Sequence, residues 1–154
     1  ISYSKLGSTQ SELGNLEQAL TFFEKDLELT KELYEAYPKN VAFKNGLAIS
    51  YQNLGITQSA LGNLEQALTF FESFTNLMKE LYEAYPQNLA FKNGLAFSYS
   101  KLGIFYRDQK KDKSKARPYF EQCYILWKEL SATYPAYIEF QKNFKNAEWN
   151  LDSL

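Results

Sequence analysis

The chain has 154 residues, 45% of them apolar and 23% charged, with a net charge of −1. That balance excludes an intrinsically disordered chain, and it excludes a global field that would recruit nucleic acid or an anionic membrane. There is no histidine and a single cysteine, Cys123, which excludes His-based general base catalysis, most zinc sites and an internal disulfide.

Taken from the amino end, the first unit falls near 1–37. It opens on "ISYSKLG", without an initiator Met and already partway along a helix, so the chain is expected to be a piece of a longer protein with an exposed apolar edge at Ile1. The stretch "LGNLEQALTFFE" then runs from Leu13 to Glu24 and recurs letter for letter from Leu61 to Glu72, 48 positions later.

The second unit falls near 41–85. Phe43, Leu47, Tyr51, Leu54 and Leu61 recur at steps of three and four, with Gln58 interrupting the apolar stripe. That rhythm predicts a helix. Leu64, Ala67, Phe71, Phe74, Met78, Leu81 and Tyr85 repeat it in a second helix. Between the two, Gly62 suits the left-handed end of a helix, and Asn63 with Gln66 suits a capping box. Pro86 halts the second helix and Asn88 is placed to cap the next unit.

The third unit falls near 89–134 and carries one inserted residue, expected in its turn. There "RDQKKDKSKAR" from Arg107 to Arg117 replaces neutral residues. It reads as a longer exposed loop that Ser114 caps, with Pro118 tolerated in the first helical turn. The last segment, Tyr137 to about Asp152, keeps Phe140, Phe144, Ala147 and Leu151 on one stripe and reads as a capping helix over 137–152.

Residues 1–48 and 49–96 are identical at about three quarters of positions. A fixed period of this size marks stacked supersecondary units, each burying its apolar face on the next. Gly7, Gly55 and Gly103 on first helices, with Ala19, Ala67 and Ala116 on second helices, mark close helix–helix contacts. Gly46 and Gly94 suggest the same between units.

The set Tyr51, Leu54, Gly55, Gly62, Ala67 and Phe71 resembles the tetratricopeptide repeat. The unit is longer than the usual length of about 34 residues, so the resemblance is to a long-helix variant with a 48-residue period. It implies an all-α fold: an α-solenoid, a right-handed superhelix of antiparallel helix pairs, here three units plus a C-terminal capping helix in one repeat domain, 1–154. It further implies a concave face, lined by first helices, that binds a peptide or partner domain. Such arrays are common in bacterial multidomain proteins beside signalling ATPase or caspase-like modules.

Chemistry-bearing motifs are absent. Cys123 sits at a small-residue position on the stripe with Phe120 and Trp127 and reads as a packed core thiol. No Gly-rich phosphate loop is present, and Glu17, Glu24, Glu65 and Glu72 read as solvated repeats. No enzyme activity, cofactor or metal is expected. The single cysteine fits a reducing compartment, so a cytoplasmic location is expected.

Three features rise above this background. Opposite the core stripe on the first helices lie Asn45, Ile49, Gln52, Ile56 and Ser59, matched by Asn93, Phe97, Ser100, Ile104 and Arg107 and by Ile1, Ser4, Ser8 and Ser11. Lys5, Asn53 and Lys101 hold a position that some family members use to clamp a C-terminal carboxylate, but Ser4, Ser8, Gln52 and Ile56 leave that clamp incomplete. The second feature is a basic patch, Lys110, Lys111, Lys113, Lys115 and Arg117, suited to an acidic surface. It has no interleaved aromatics for single-stranded nucleic acid. The third is Trp149, which takes the position of Ser100 and reads either as a ligand anchor or as packing over the stack's end. The leading expectation is a protein-binding scaffold, with a peptide, a protein or adjacent domains of the same chain as partner and neither membrane nor nucleic acid. The alternative is a spacer that self-associates through uncapped ends.

Overall fold

A computed structural model describes residues 2–154; the expected apolar edge at Ile1 lies outside them. Among the described residues seven α-helices follow one another: α1 (Tyr3–Glu12), α2 (Leu16–Ala36), α3 (Val41–Ala60), α4 (Leu64–Ala84), α5 (Leu89–Ile104), α6 (Lys113–Thr133) and α7 (Ile138–Asp152). A π-helical segment, Phe105–Gln109, carries α5 onward. No strand occurs among the described residues. The chain divides into two compact units, Ile1–Leu77 and Met78–Leu154, with the division inside α4.

In the first unit, α2 packs on both α1 and α3. Its core joins Ala19, Phe23 and Leu54, with Leu20, Leu27 and Phe70 against them. Glycine makes the closest approaches. A Cβ on Gly7 would lie 2.5 Å from the Phe23 ring, and one on Gly55 2.7 Å from the Phe71 ring. Such distances leave no room for a methyl, so the helices meet there only because the side chain is missing. In the second unit α6 packs on α5 and α7, and Gly103 repeats the arrangement, its Cβ position 2.6 Å from the Phe120 ring. Gly94 is likewise closed, by the Met78 sulfur, whereas a Cβ on Gly46 would make only ordinary contact, 3.9 Å from the Thr30 methyl. Ala19, Ala67 and Ala116 are fully buried or nearly so.

The turns show where the sequence reading holds and where it needs correction. Asn40 and Asn88 cap α3 and α5, their side-chain oxygens accepting from the N–H of Phe43 and of Phe91, both at 3.1 Å. Asn15 makes no capping bond. Its amide donates instead to Gln10 at 2.8 Å, and the equivalent Asn63 donates to Gln58 at 2.7 Å. This explains why a glutamine interrupts the apolar stripe: Gln58 is buried and its oxygen is satisfied by the turn asparagine.

The third unit departs most. Ile104 follows Ile56 by 48 residues, but Lys113 follows Leu64 by 49. The extra residue does not lengthen a loop. It is absorbed in the helix as the π-helical segment, where the N–H of Lys110 donates to the Phe105 carbonyl at 3.3 Å. The turn itself is Lys110–Asp112, as short as Leu61–Asn63. Asp112 caps α6, accepting from the Lys115 N–H at 2.9 Å. Ser114 therefore lies inside the helix rather than capping it, and Pro118 lies in the second turn, not the first. The proline deprives the Ser114 carbonyl of its helical donor, a tolerable loss because Ser114 and Pro118 are both exposed.

Candidate interaction site

The second unit holds a cleft of about 370 Å³ between the face of α5 and the face of α7. Phe97, Ser100, Ile104, Arg107 and Trp149 all line it. They meet because α7 repeats the spacing of α5, so Trp149 stands where Ser100 stands one unit earlier. Five further residues line it: Lys101, which the sequence reading placed only at the incomplete clamp position, and Trp127, Asn143, Asn146 and Asn150, which it did not place on this face. Asn93, the remaining candidate on α5, supports the wall by accepting from the Trp127 indole N–H at 2.8 Å.

Arg107 is the organising group. The π-helical segment turns it toward α7, where it donates to the Asn150 side-chain oxygen at 2.7 Å and stacks against Trp149, 5.5 Å from the ring centroid. Its other flank lies 5.2 Å from the Phe120 centroid. Its remaining donors meet the Asp108 carboxylate at 2.6 and 3.1 Å. That hydrogen bond holds the Asp108 carboxyl below its ordinary value. Arg107 is thus neutralised and fixed, and it presents Trp149 rather than its own charge. The indole stays 64% exposed, a large rigid surface held at little entropic cost, the character of an interface anchor.

Lys101 differs from Arg107. Burial pushes its ammonium below the usual lysine value. It lies over the Phe97 ring at 5.1 Å, and no carboxylate lines the cleft with it. The cleft therefore offers apolar surface from Phe97, Ile104 and Trp149, amide and hydroxyl groups, and one ammonium.

The first unit holds a smaller cleft of about 250 Å³, with Ser8, Ser11 and Glu12 on α1 and Asn53, Ile56 and Thr57 on α3. Of the α3 candidates, Ile56 lines it. Ile49 is exposed, as is Ser59, while Asn45 and Gln52 are half-buried, and none of these four lines that cleft.

The basic patch residues Lys110, Lys111, Lys113, Lys115 and Arg117 are all exposed. Lys110 lies over the Phe105 ring and Lys115 over the Tyr106 ring, at 5.7 and 5.0 Å. Cys123 is fully buried, donates to the Phe120 carbonyl at 3.3 Å, and is pushed up to about 12 by burial. Such a thiol is packing, not a nucleophile. Among the described residues no cluster suits a metal ion, and no helix is long and apolar enough to cross a membrane.

Comparison with known proteins adds two findings. A family profile described as "Tetratricopeptide repeat" matches residues 1–80, just over half of the chain. A crystal structure of BtubC (BKLC) from P. vanneervenii is similar at a TM-score of 0.58 and 18% identity, over 98% of this chain and 59% of that one. At that identity the likeness speaks for the fold alone: all-α, of the α-solenoid class. The chain spans about three fifths of that structure's length. No curated protein matches the chain.

Proposed function

The chain belongs to the tetratricopeptide repeat family, whose repeats generally mediate protein–protein interaction or scaffolding, and we propose that it binds a peptide or partner domain along the first-helix faces. The observation that carries this reading is the α5–α7 cleft, with an exposed Trp149 held on a neutralised Arg107. Trp149 stays largely in water, yet Arg107, whose other flank covers the buried Phe120 ring, is committed to positioning it.

The chemistry of the cleft selects an extended or helical segment with apolar side chains for Phe97, Ile104 and Trp149. The segment's backbone carbonyls would meet the Asn143 and Asn146 amides and the Lys101 ammonium. The basic turn plays no part in this reading, so binding should depend only weakly on salt. A surface of exposed lysines would instead lose much of its pull over a screening length of about 10 Å at 0.1 M salt.

Selection from a displayed peptide library on the immobilised chain tests it. Peptides so selected should lose binding to Phe97→Ala plus Trp149→Ala, and to Ile104→Glu. They should keep it when Lys110, Lys111, Lys113 and Lys115 are changed to Ser, each variant first shown to be helical by circular dichroism. Peptides that survive the cleft variants and fail on the turn variant would move the site to the basic turn. A library that yields no sequence-selective binder would favour the spacer reading.

A further inference from the structure

The free hydrogen-bonding groups of the α5–α7 cleft are unequal in kind. Lys101 and the Trp149 indole bring donors and no acceptor. The Asn150 side-chain oxygen is taken by Arg107 at 2.7 Å, which leaves that amide only its N–H groups to offer. Asp108 holds Arg107 and does not line the cleft. Acceptors remain on Ser100, Asn143 and Asn146, and each of these also donates. The backbone of α5 and α7 adds nothing, because its N–H and C=O groups are engaged within the helices. The cleft of the first unit has no such bias: the Glu12 carboxylate lines it, and no lysine, arginine or tryptophan does.

A surplus of donors discriminates among backbones. A helical ligand hides its carbonyls in its own hydrogen bonds, except at its last turn. An extended ligand of ordinary residues brings one N–H with every carbonyl, and those N–H groups would be covered without acceptors, at a cost. A proline-rich segment in the polyproline II conformation keeps its carbonyls free and lacks the N–H at each proline. Its flat apolar rings also suit Phe97, Ile104 and the 64% exposed indole of Trp149.

We propose, resting on the reading of this cleft as a peptide site, that its occupant is a proline-rich segment with prolines three residues apart. Polyproline II repeats its side-chain direction every third residue, over about 9 Å. Phe97 and Ile104 stand two turns apart on α5, about 10 Å along the helix, so successive prolines on one side of the segment meet the two in turn. The intervening carbonyls accept from Lys101 and from the asparagine amides of α7.

The test selects short linear peptides from an unbiased displayed library on the whole chain and rechecks each binder on Phe97→Ala plus Trp149→Ala. Binders that depend on the cleft should carry prolines at i and i+3. Replacing either proline by alanine should weaken binding about 10-fold or more, because the restored N–H is covered without an acceptor. N-methylalanine, which lacks both the N–H and the ring, should recover most of that loss. Asn146→Asp places a carboxylate acceptor at an exposed position of the wall, and should shrink the alanine penalty to about 3-fold or less. N-methylalanine no better than alanine, or an alanine penalty unchanged in Asn146→Asp, overturns the donor argument. Cleft-dependent binders without proline overturn the proposal while leaving the cleft a peptide site. Acidic binders whose affinity falls steeply with salt do the same, and show that Lys101 draws a carboxylate instead. A selection with no binder sensitive to the cleft variant overturns this proposal and the peptide site together.

Discussion

Gly62 and Lys111 hold the same turn position in successive units, and exchanging their chemistry measures what the turn costs. Both are left-handed, with φ of 83° and 53°. A Cβ on Gly62 would meet nothing within 4 Å, so Gly62→Ala reports backbone strain without a clash. An L-residue in this region costs about 1–2 kcal/mol. Replacing glycine returns about 0.4–1 kcal/mol by restricting the unfolded chain. The net loss for Gly62→Ala is therefore about 0.8 kcal/mol, the midpoint of a span of about 0–1.6 kcal/mol, and Lys111→Gly should gain a similar amount. Little opposes that gain, because Lys111 is exposed and its attraction is the weakest of the influences on Asp108. Urea titration followed by circular dichroism reads both, with an unchanged slope showing that only stability has moved. In thermal unfolding the shifts should be roughly 2–4 °C per kcal/mol for a chain of this size. A neutral Gly62→Ala would mean that the turn adopts another conformation at no cost. A destabilising Lys111→Gly would mean that the lysine is held by contacts stronger than the strain, and either result refutes the account of these turns.

Leu54 is fully buried against Ala19 and Phe23, so Leu54→Ala should cost about 2–5 kcal/mol in the same titration; a loss under about 0.5 kcal/mol would put the stripe on the wrong face. Gly103→Ala drives a methyl into the buried Phe120 ring and should cost about 1–3 kcal/mol. Gly46→Ala, whose Cβ position is 3.9 Å from Thr30, should instead be neutral or gain up to about 1 kcal/mol from helix propensity. Equal outcomes at Gly103 and Gly46 would refute the close-contact reading. The pairing of Asp108 with Arg107 lowers that carboxyl from 3.8. A depressed acid contributes fully above its unfolded value and loses its contribution as pH falls through the folded one. Trp149 fluorescence should therefore hold steady from pH 7 to about 4 and change only below; a midpoint at or above the ordinary carboxyl value would count against the ion pair.

What was legible in the sequence was what repeats. The helices, the asparagine cap at Asn88, the glycine contacts at Gly55 and Gly103 and the left-handed Gly62 each rest on local chemistry, and each is stated more than once along the chain. The misreadings fall where a side chain had two partners to choose from. Asn63 looked like a cap because asparagine commonly caps, but its amide, like that of the equivalent Asn15, turns to a glutamine in the preceding helix. That glutamine was visible as a break in the stripe, and the two anomalies explain each other once taken together.

The cleft was partly legible for the same reason. Phe97, Ser100, Ile104, Arg107 and Trp149 were found by register alone, because α7 obeys the spacing of α5. Lys101 was legible only as a clamp position, and not its seat over the Phe97 ring, because helical spacing cannot tell whether a lysine folds back over a neighbouring ring or extends into water. The inserted residue of the third unit escaped too, since an insertion beside a charged turn reads naturally as a longer loop. In the helix it has a consequence no loop could have. By changing the turn to five-residue closure it rotates Arg107 away from the position that Ser59 holds, onto Asn150 and the Trp149 ring. The same residue that breaks the period thus builds the wall of the cleft. Deleting one residue within Phe105–Gln109 should restore an α-helical register and leave the unit folded. It should also release Trp149 from the guanidinium, so Trp149 fluorescence and peptide binding should change while the helical signal does not.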